Sequence, residues 1–283
     1  MTVYSLVTIL SLRESLWDQQ PQFLSEESID IINDINSHFS SSGVKLRSSN
    51  VGLLKRKKRA PEEEIRVLFN KLTPETKRQT LERLVEHIEN AESENKSSLR
   101  ELIFSICSSS ALNKMIFVYI YKNLSEKDDV FLSLARNHTM NLQNLIESRS
   151  YTDNIDDYDA FCGMNKISDL YKCNLGFLVS LNDVAMQKDI GDLMRTIIVR
   201  VIGLSQLSGN TSETMHLSEL VLSTLKEGGT VFWSGLDEKL QKEIKSEAQK
   251  VVNLKRDQCK SLSMKVKFNL MDVLDIIPNV KTT

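Results

Sequence analysis

The chain has 283 residues, and 36 Lys and Arg against 38 Asp and Glu leave a formal net charge of −2, so it is not a polybasic nucleic-acid binder as a whole. Its 10 Gly and 4 Pro are less than half the usual combined share of roughly 12%, and no proline falls between Pro74 and Pro278. So few turn formers exclude a sandwich, a barrel or a glycine-rich nucleotide-binding sheet, and predict an all-α chain.

Taken in chain order, residues 1–39 mix apolar residues with acids. Ile29, Ile32, Ile35 and Phe39 recur at helical spacing behind a Ser25-x-x-Ser28 start, which predicts a short helix. Residues 40–61 are rich in Ser, Gly and bases with no sustained period, the mark of a linker. That linker carries Lys45, Arg47, Lys55, Arg56, Lys57, Lys58 and Arg59 without one acid.

From Glu62 the pattern is helical almost to the end. Glu62 to Leu72 places Ile65, Leu68, Phe69 and Leu72 on one face, and Thr73-Pro74 reads as the N-cap and first position of a second helix. Further helices are predicted over Pro74 to Asn90, Ser97 to Ser109, Ala111 to Asn123, Asp128 to Ser148 and Asn165 to Asn182. They continue over Ala185 to Gly203, Ser212 to Glu227, Leu236 to Asp257 and Leu262 to Ile276. Successive antiparallel pairs of such helices suit an α-solenoid, in which each pair buries a face against its neighbours. The acidic segment Tyr151 to Asp159 interrupts them and reads as a solvated loop, since it lacks the glycine and terminal Glu of a calcium-binding loop.

Catalytic chemistry finds no support. His38, His87, His138 and His216 are isolated and read as surface or helix-flank residues; no metal, triad or phosphate-loop pattern surrounds them. Gly228-Gly229 reads as a helix end. Cys107, Cys162, Cys173 and Cys259 are widely spaced with no CxxC pair, which suits reduced thiols in cytosol or nucleus. No apolar run approaches the roughly 20 residues that span a bilayer, and the apolar start has neither a basic lead nor a cleavage site of a signal peptide.

Binding features remain. On a helix, Tyr4, Ile9 and Leu10 offer an aromatic anchor and an aliphatic pair that Leu12 and Leu16 extend, suited either to docking in a partner's groove or to a core. Lys55 to Arg59 suits salt-dependent RNA or DNA contact, a nuclear localisation signal, or a plain solvated linker.

Two segments carry a family resemblance. IRVLFNKLTPE, Ile65 to Glu75, resembles the opening of the middle domain of translation initiation factor 4G. MKVKFNLMDVLDI, Met264 to Ile276, resembles its close, where Ser-Ser-Arg-Ile-Arg-Phe leads into Asp-Val-Leu-Asp. LRELIFSICSSS, from Leu99, and YKCNLGFLVSLNDVAM, from Tyr171, are similar to intermediate helices in the same order, so the resemblance covers roughly Glu62 to Ile277.

The resemblance implies a crescent of antiparallel HEAT-like helix pairs over residues 62–277, followed by a tail at 278–283. It also implies a factor-4E-binding segment over residues 1–39, because Tyr4 to Leu10 is similar to Tyr-x-x-x-x-Leu-Φ with Ile9 in place of Leu, and a basic RNA-binding linker over 40–61. The function implied is a cytoplasmic, non-enzymatic scaffold that joins the cap-binding factor 4E, mRNA and the DEAD-box helicase factor 4A, and stimulates the helicase. No cofactor is implied. Phe69 and Leu72 match one helicase-facing motif and Lys265, Lys267 and Phe268 the other, while Lys77 stands where the family has an apolar aromatic. Related middle domains occur in nuclear RNA-processing and mRNA-decay adaptors, which is the alternative reading.

Overall fold

The computed structural model describes residues 60–110, 112–149, 151, 158–255 and 259–277, all within the compact unit Arg59–Thr283. The Tyr4 to Leu16 motif, the basic stretch Lys55 to Arg59, most of the acidic segment, His38, Pro278 and the tail lie outside the described residues.

Among the described residues the periodic segments form ten α-helices and no strand. They are α1 (Pro61–Asn70), α2 (Lys77–Glu89), α3 (Ser93–Ser109), α4 (Lys114–Lys127), α5 (Val130–Glu147), α6 (Tyr158–Leu181), α7 (Val184–Gln206), α8 (Thr211–Gly235), α9 (Glu238–Asn253) and α10 (Met264–Ile276). The fold is all-α.

α1 begins with Pro61, whose fixed φ suits the first position, and Glu62, Glu63 and Glu64 complement the exposed N–H groups of the first turn. Thr73-Pro74 does not start α2, as the spacing predicts. Thr73 and Thr76 bond one another instead, Thr73 N–H to Thr76 Oγ1 at 2.9 Å and Thr76 N–H to Thr73 Oγ1 at 3.3 Å, which closes Pro74 and Glu75 into a turn. The helix starts only after Thr76. α6 starts at Tyr158 rather than Asn165, so the last two residues of the acidic segment are helical. Gly228-Gly229 ends the first helical segment of α8, as expected: Gly229 has φ 55° and ψ −152°, and a second segment continues beyond this kink to Gly235.

Each odd-numbered helix packs on the next odd one, α1 on α3, α5, α7 and α9 in turn, and each even one on the next even one, α2 through α10. Every substantial helix–helix contact joins elements at most three positions apart in the chain. Two Arg–Asp pairs recur along the odd helices. Arg100 of α3 reaches Asp128 just before α5, with Nη2 2.6 Å and Nε 2.8 Å from Oδ2. Arg136 of α5 grips Asp183, the N-cap of α7, through bonds of 2.7 and 3.1 Å.

The core holds an aromatic cluster in which Tyr121 meets Phe104, Phe131 and Phe177 edge-on at 5.8, 5.4 and 5.3 Å between ring centroids. Its hydroxyl donates to the Phe131 carbonyl at 2.7 Å, so the ring is buried without an orphaned polar atom.

Candidate partner-binding surface

Two ends of the helix array hold the residues that the resemblance marks as helicase-facing. At α1, Phe69 and Leu72 are both buried, and Phe69 packs edge-on against Phe117 of α4 at 5.7 Å. Both belong to the interior, so neither presents its side chain to a partner. Lys77 lays its ammonium 4.6 Å above the Tyr119 ring of α4, so the position where the resemblance leads one to expect an aromatic holds a cation stacked on one.

At α10 the geometry differs. Ser263 caps the helix by accepting from Val266 N–H at 3.3 Å, and Val266, Leu270 and Val273 are fully buried, which fixes the helix's rotation. That rotation turns Met264, Phe268 and Met271 outward, with Phe268 54% exposed. Lys265 and Lys267 flank the stripe on opposite sides. Lys265 pairs with Glu219 of α8, and Lys267 donates to the Leu254 carbonyl after α9. Of the five expected residues, the structure therefore brings Lys265, Lys267 and Phe268 together on α10.

Glu219 also accepts from Lys172 of α6 at 2.9 Å, so one carboxylate spans two lysines from two neighbouring helices. Burial alone would raise its pKa, but hydrogen bonds from Lys265 and Lys172 outweigh burial and hold it below the usual carboxylate range. Burial likewise opposes the charge on Lys172, and the Glu219 pairing more than restores it. Farther along, Lys226 of α8 lies 4.0 Å from Asp272 of α10. The ion pair Lys114–Glu227 connects α4 to α8 across α6. Gly176 lets it cross, since a Cβ there would stand 3.3 Å from Glu227 Cγ.

A second polar cluster is not expected from the sequence. Arg149 lies over the rings of Tyr151 and Tyr171 at 4.7 and 5.6 Å, and donates to Ser168 Oγ at 3.1 Å and to the Met164 carbonyl. Tyr151 in turn faces the His216 ring at 6.2 Å. His216 is buried at 7% exposure, with no hydrogen-bond partner for either ring nitrogen among the described residues, and burial pushes its pKa below the usual range. His138 is half-buried against Phe104 at 4.8 Å, and burial lowers its pKa too. The surface or helix-flank placement expected for the histidines fails for His216, because α8 is packed against α6, α7 and α10, whereas half-buried His138 fits a helix flank.

Among the described residues no group of His, Cys, Asp and Glu is arranged to hold a metal, and no helix is long and apolar enough to cross a membrane. What the surface offers is an apolar stripe edged by fixed charges, chemistry that suits docking. No protein-family model, curated protein or solved structure matches the chain.

Proposed function

We propose that the chain is a translation-initiation scaffold of the factor 4G type. The carrying observation is the order of its motifs: a Tyr4 to Leu10 segment similar to a factor-4E-binding helix, the bases Lys55 to Arg59, then a helical region opening on IRVLFNKLTPE and closing on MKVKFNLMDVLDI. In this reading Tyr4, Ile9, Leu10, Leu12 and Leu16 hold the cap-binding factor 4E and the bases hold mRNA by counterion release. The helix array is an α-solenoid of HEAT-like pairs. Its support is the packing of each helix on the second next along the chain and the recurring Arg–Asp pairs.

The helicase side of this function now rests on Lys265, Lys267 and Phe268, the members of the expected set that reach the surface. A scaffold that binds one arrangement of the two helicase lobes more tightly than others shifts the population toward it, and the ATP chemistry stays with the helicase. Affinity purification of the full chain tests the reading. Tyr4→Ala with Leu10→Ala is expected to abolish recovery of factor 4E and spare the helicase, and Phe268→Ala to do the reverse. Recovery of neither protein by the wild type sinks the assignment.

The alternative is a nuclear RNA-processing or mRNA-decay adaptor, favoured by the compactness of the basic run Lys55 to Arg59. Nuclear accumulation that is lost on Lys57→Ala with Lys58→Ala selects it over the cytoplasmic scaffold.

A further inference from the structure

The even-numbered helices form a row in which α2, α4, α6 and α8 are each covered by the next. No helix among the described residues follows α10. A helix face that no described helix covers is normally polar. On α10 that expectation fails. Met264, Phe268 and Met271 are 44%, 54% and 45% exposed, and their spacing of four and three places them in one stripe, the pattern of a helix–helix seam.

The charges beside the stripe say what covers it. Lys265 and Asp272 are one heptad apart on the same flank, the flank toward α8, where Glu219 and Lys226 sit beside them. Two identical helices packed antiparallel along such a stripe bring the start of one flank against the end of the other. Lys265 of each copy then meets Asp272 of its twin, twice by symmetry, while Phe268 and Met271 interleave across the seam. With the intramolecular partners included, the order across the junction is Glu219, Lys265, Asp272, Lys226, alternating in sign throughout. A parallel arrangement instead sets this flank against the partner's opposite flank, where Lys267 sits, and forms neither Lys265–Asp272 pair.

We propose that α10 is a self-association surface, on which a second copy of this chain packs its own α10 antiparallel about a twofold axis near Phe268, so that the row of even helices continues through the axis into the partner. The proposal stands without the scaffold reading. If that reading also holds, self-association and helicase docking compete for Phe268. Three large apolar side chains per copy make a seam below the roughly 1,200 Å² of a stable interface, so the dimer forms and dissociates readily.

Sedimentation velocity on the full chain across a concentration series tests it, with circular dichroism as a check on the fold. The wild type is expected to shift from the 32.3 kDa species to one of twice that mass as concentration rises, and Phe268→Glu to stay monomeric over the same range. Lys265→Asp and Asp272→Lys each create two like-charge contacts and are each expected to be monomeric. Mixed together they restore both opposite-charge pairs, so a heterodimer forms from two non-associating variants, a result that a general loss of structure does not produce. A wild type that remains monomeric overturns the proposal, as does dimerisation unaffected by Phe268→Glu, or a mixture that fails to associate. If the wild type is monomeric and Phe268→Glu instead costs helicase recovery, the stripe belongs to the helicase and the self-association is wrong.

Discussion

At Gly228 and Gly229 two adjacent glycines are required for different reasons. A Cβ on Gly228 would stand 2.5 Å from Cβ of the fully buried Phe232, whereas a Cβ on Gly229 has open space but an unfavourable backbone at φ 55° and ψ −152°. Gly229→Ala is therefore expected to cost about 1–3 kcal/mol through strain, and Gly228→Ala to disturb the packing of Phe232. Urea midpoints measure both, and a Gly229→Ala midpoint equal to wild type contradicts the strained geometry. His216 makes a second residue-scale prediction. Its folded pKa is depressed, so it is neutral in both states well above the unfolded value of about 6.5, and below that value the unfolded chain takes up a proton first. Stability is expected to fall as pH drops from 7.5 to 5.5, and His216→Phe to reduce that fall. Glu219 favours the proton on His216, whereas Lys172, Arg149 and Lys265 oppose it, so burial keeps its lead. The four-residue spacing of Ile65 and Phe69, with Leu68 and Leu72 beside them, already points these side chains inward. The motif match points them outward, and packing decides for the core. His216 gave no such signal: an isolated histidine among the apolar residues of α8 looks like a flank position until α6 and α7 are seen to close over that helix.

Among the elements, periodicity made the helices legible while their ends depended on contacts that no periodicity encodes. Asp183 shows why. Its carboxylate accepts from Met186 N–H at 3.0 Å as the cap of α7 and also receives both bonds from Arg136, which together hold its pKa below the usual range. In the sequence, Asn182-Asp183 is only a joint; the partner lies on α5, and Asn182 itself adopts a left-handed φ of 57°. Asp183→Ala is expected to cost about 1–3 kcal/mol, from the lost cap together with the lost pair. Arg136→Ala is expected to cost under about 1 kcal/mol, because its side chain is nearly half exposed and the cap survives. Asp183→Asn keeps the acceptor for Met186 and should fall between the two. Thermal unfolding of the three variants ranks them, and equal losses for Arg136→Ala and Asp183→Ala would mean that the cap contributes nothing. The same logic explains the displaced start of α2, where paired threonines capture Pro74 in a turn that the Thr-Pro signal alone assigns to a helix.

For the described unit taken whole, the range of its contacts along the chain sets how it comes apart. Every substantial helix contact spans at most three positions, so α1 and α2 share no substantial packing with α8, α9 or α10, and the buried apolar cluster from Ile65 to Ile277 is linked through successive neighbours. Damage at one end should then remain near that end. Leu84 of α2 and Leu270 of α10 are both fully buried, which makes them matched probes. Each change to Ala is expected to cost about 2–5 kcal/mol locally. Hydrogen exchange should separate the two variants. Leu270→Ala is expected to raise exchange through α8, α9 and α10 while leaving α1 to α3 near wild type, and Leu84→Ala to raise it in α1, α2 and α4 while sparing α9 and α10. Uniform deprotection of all ten helices by either variant would show a single cooperative core, and would remove the main support for reading the array as stacked pairs. A graded response supports that reading. It also means that a disturbance at α10 leaves the packing that holds α1 to α3 in place.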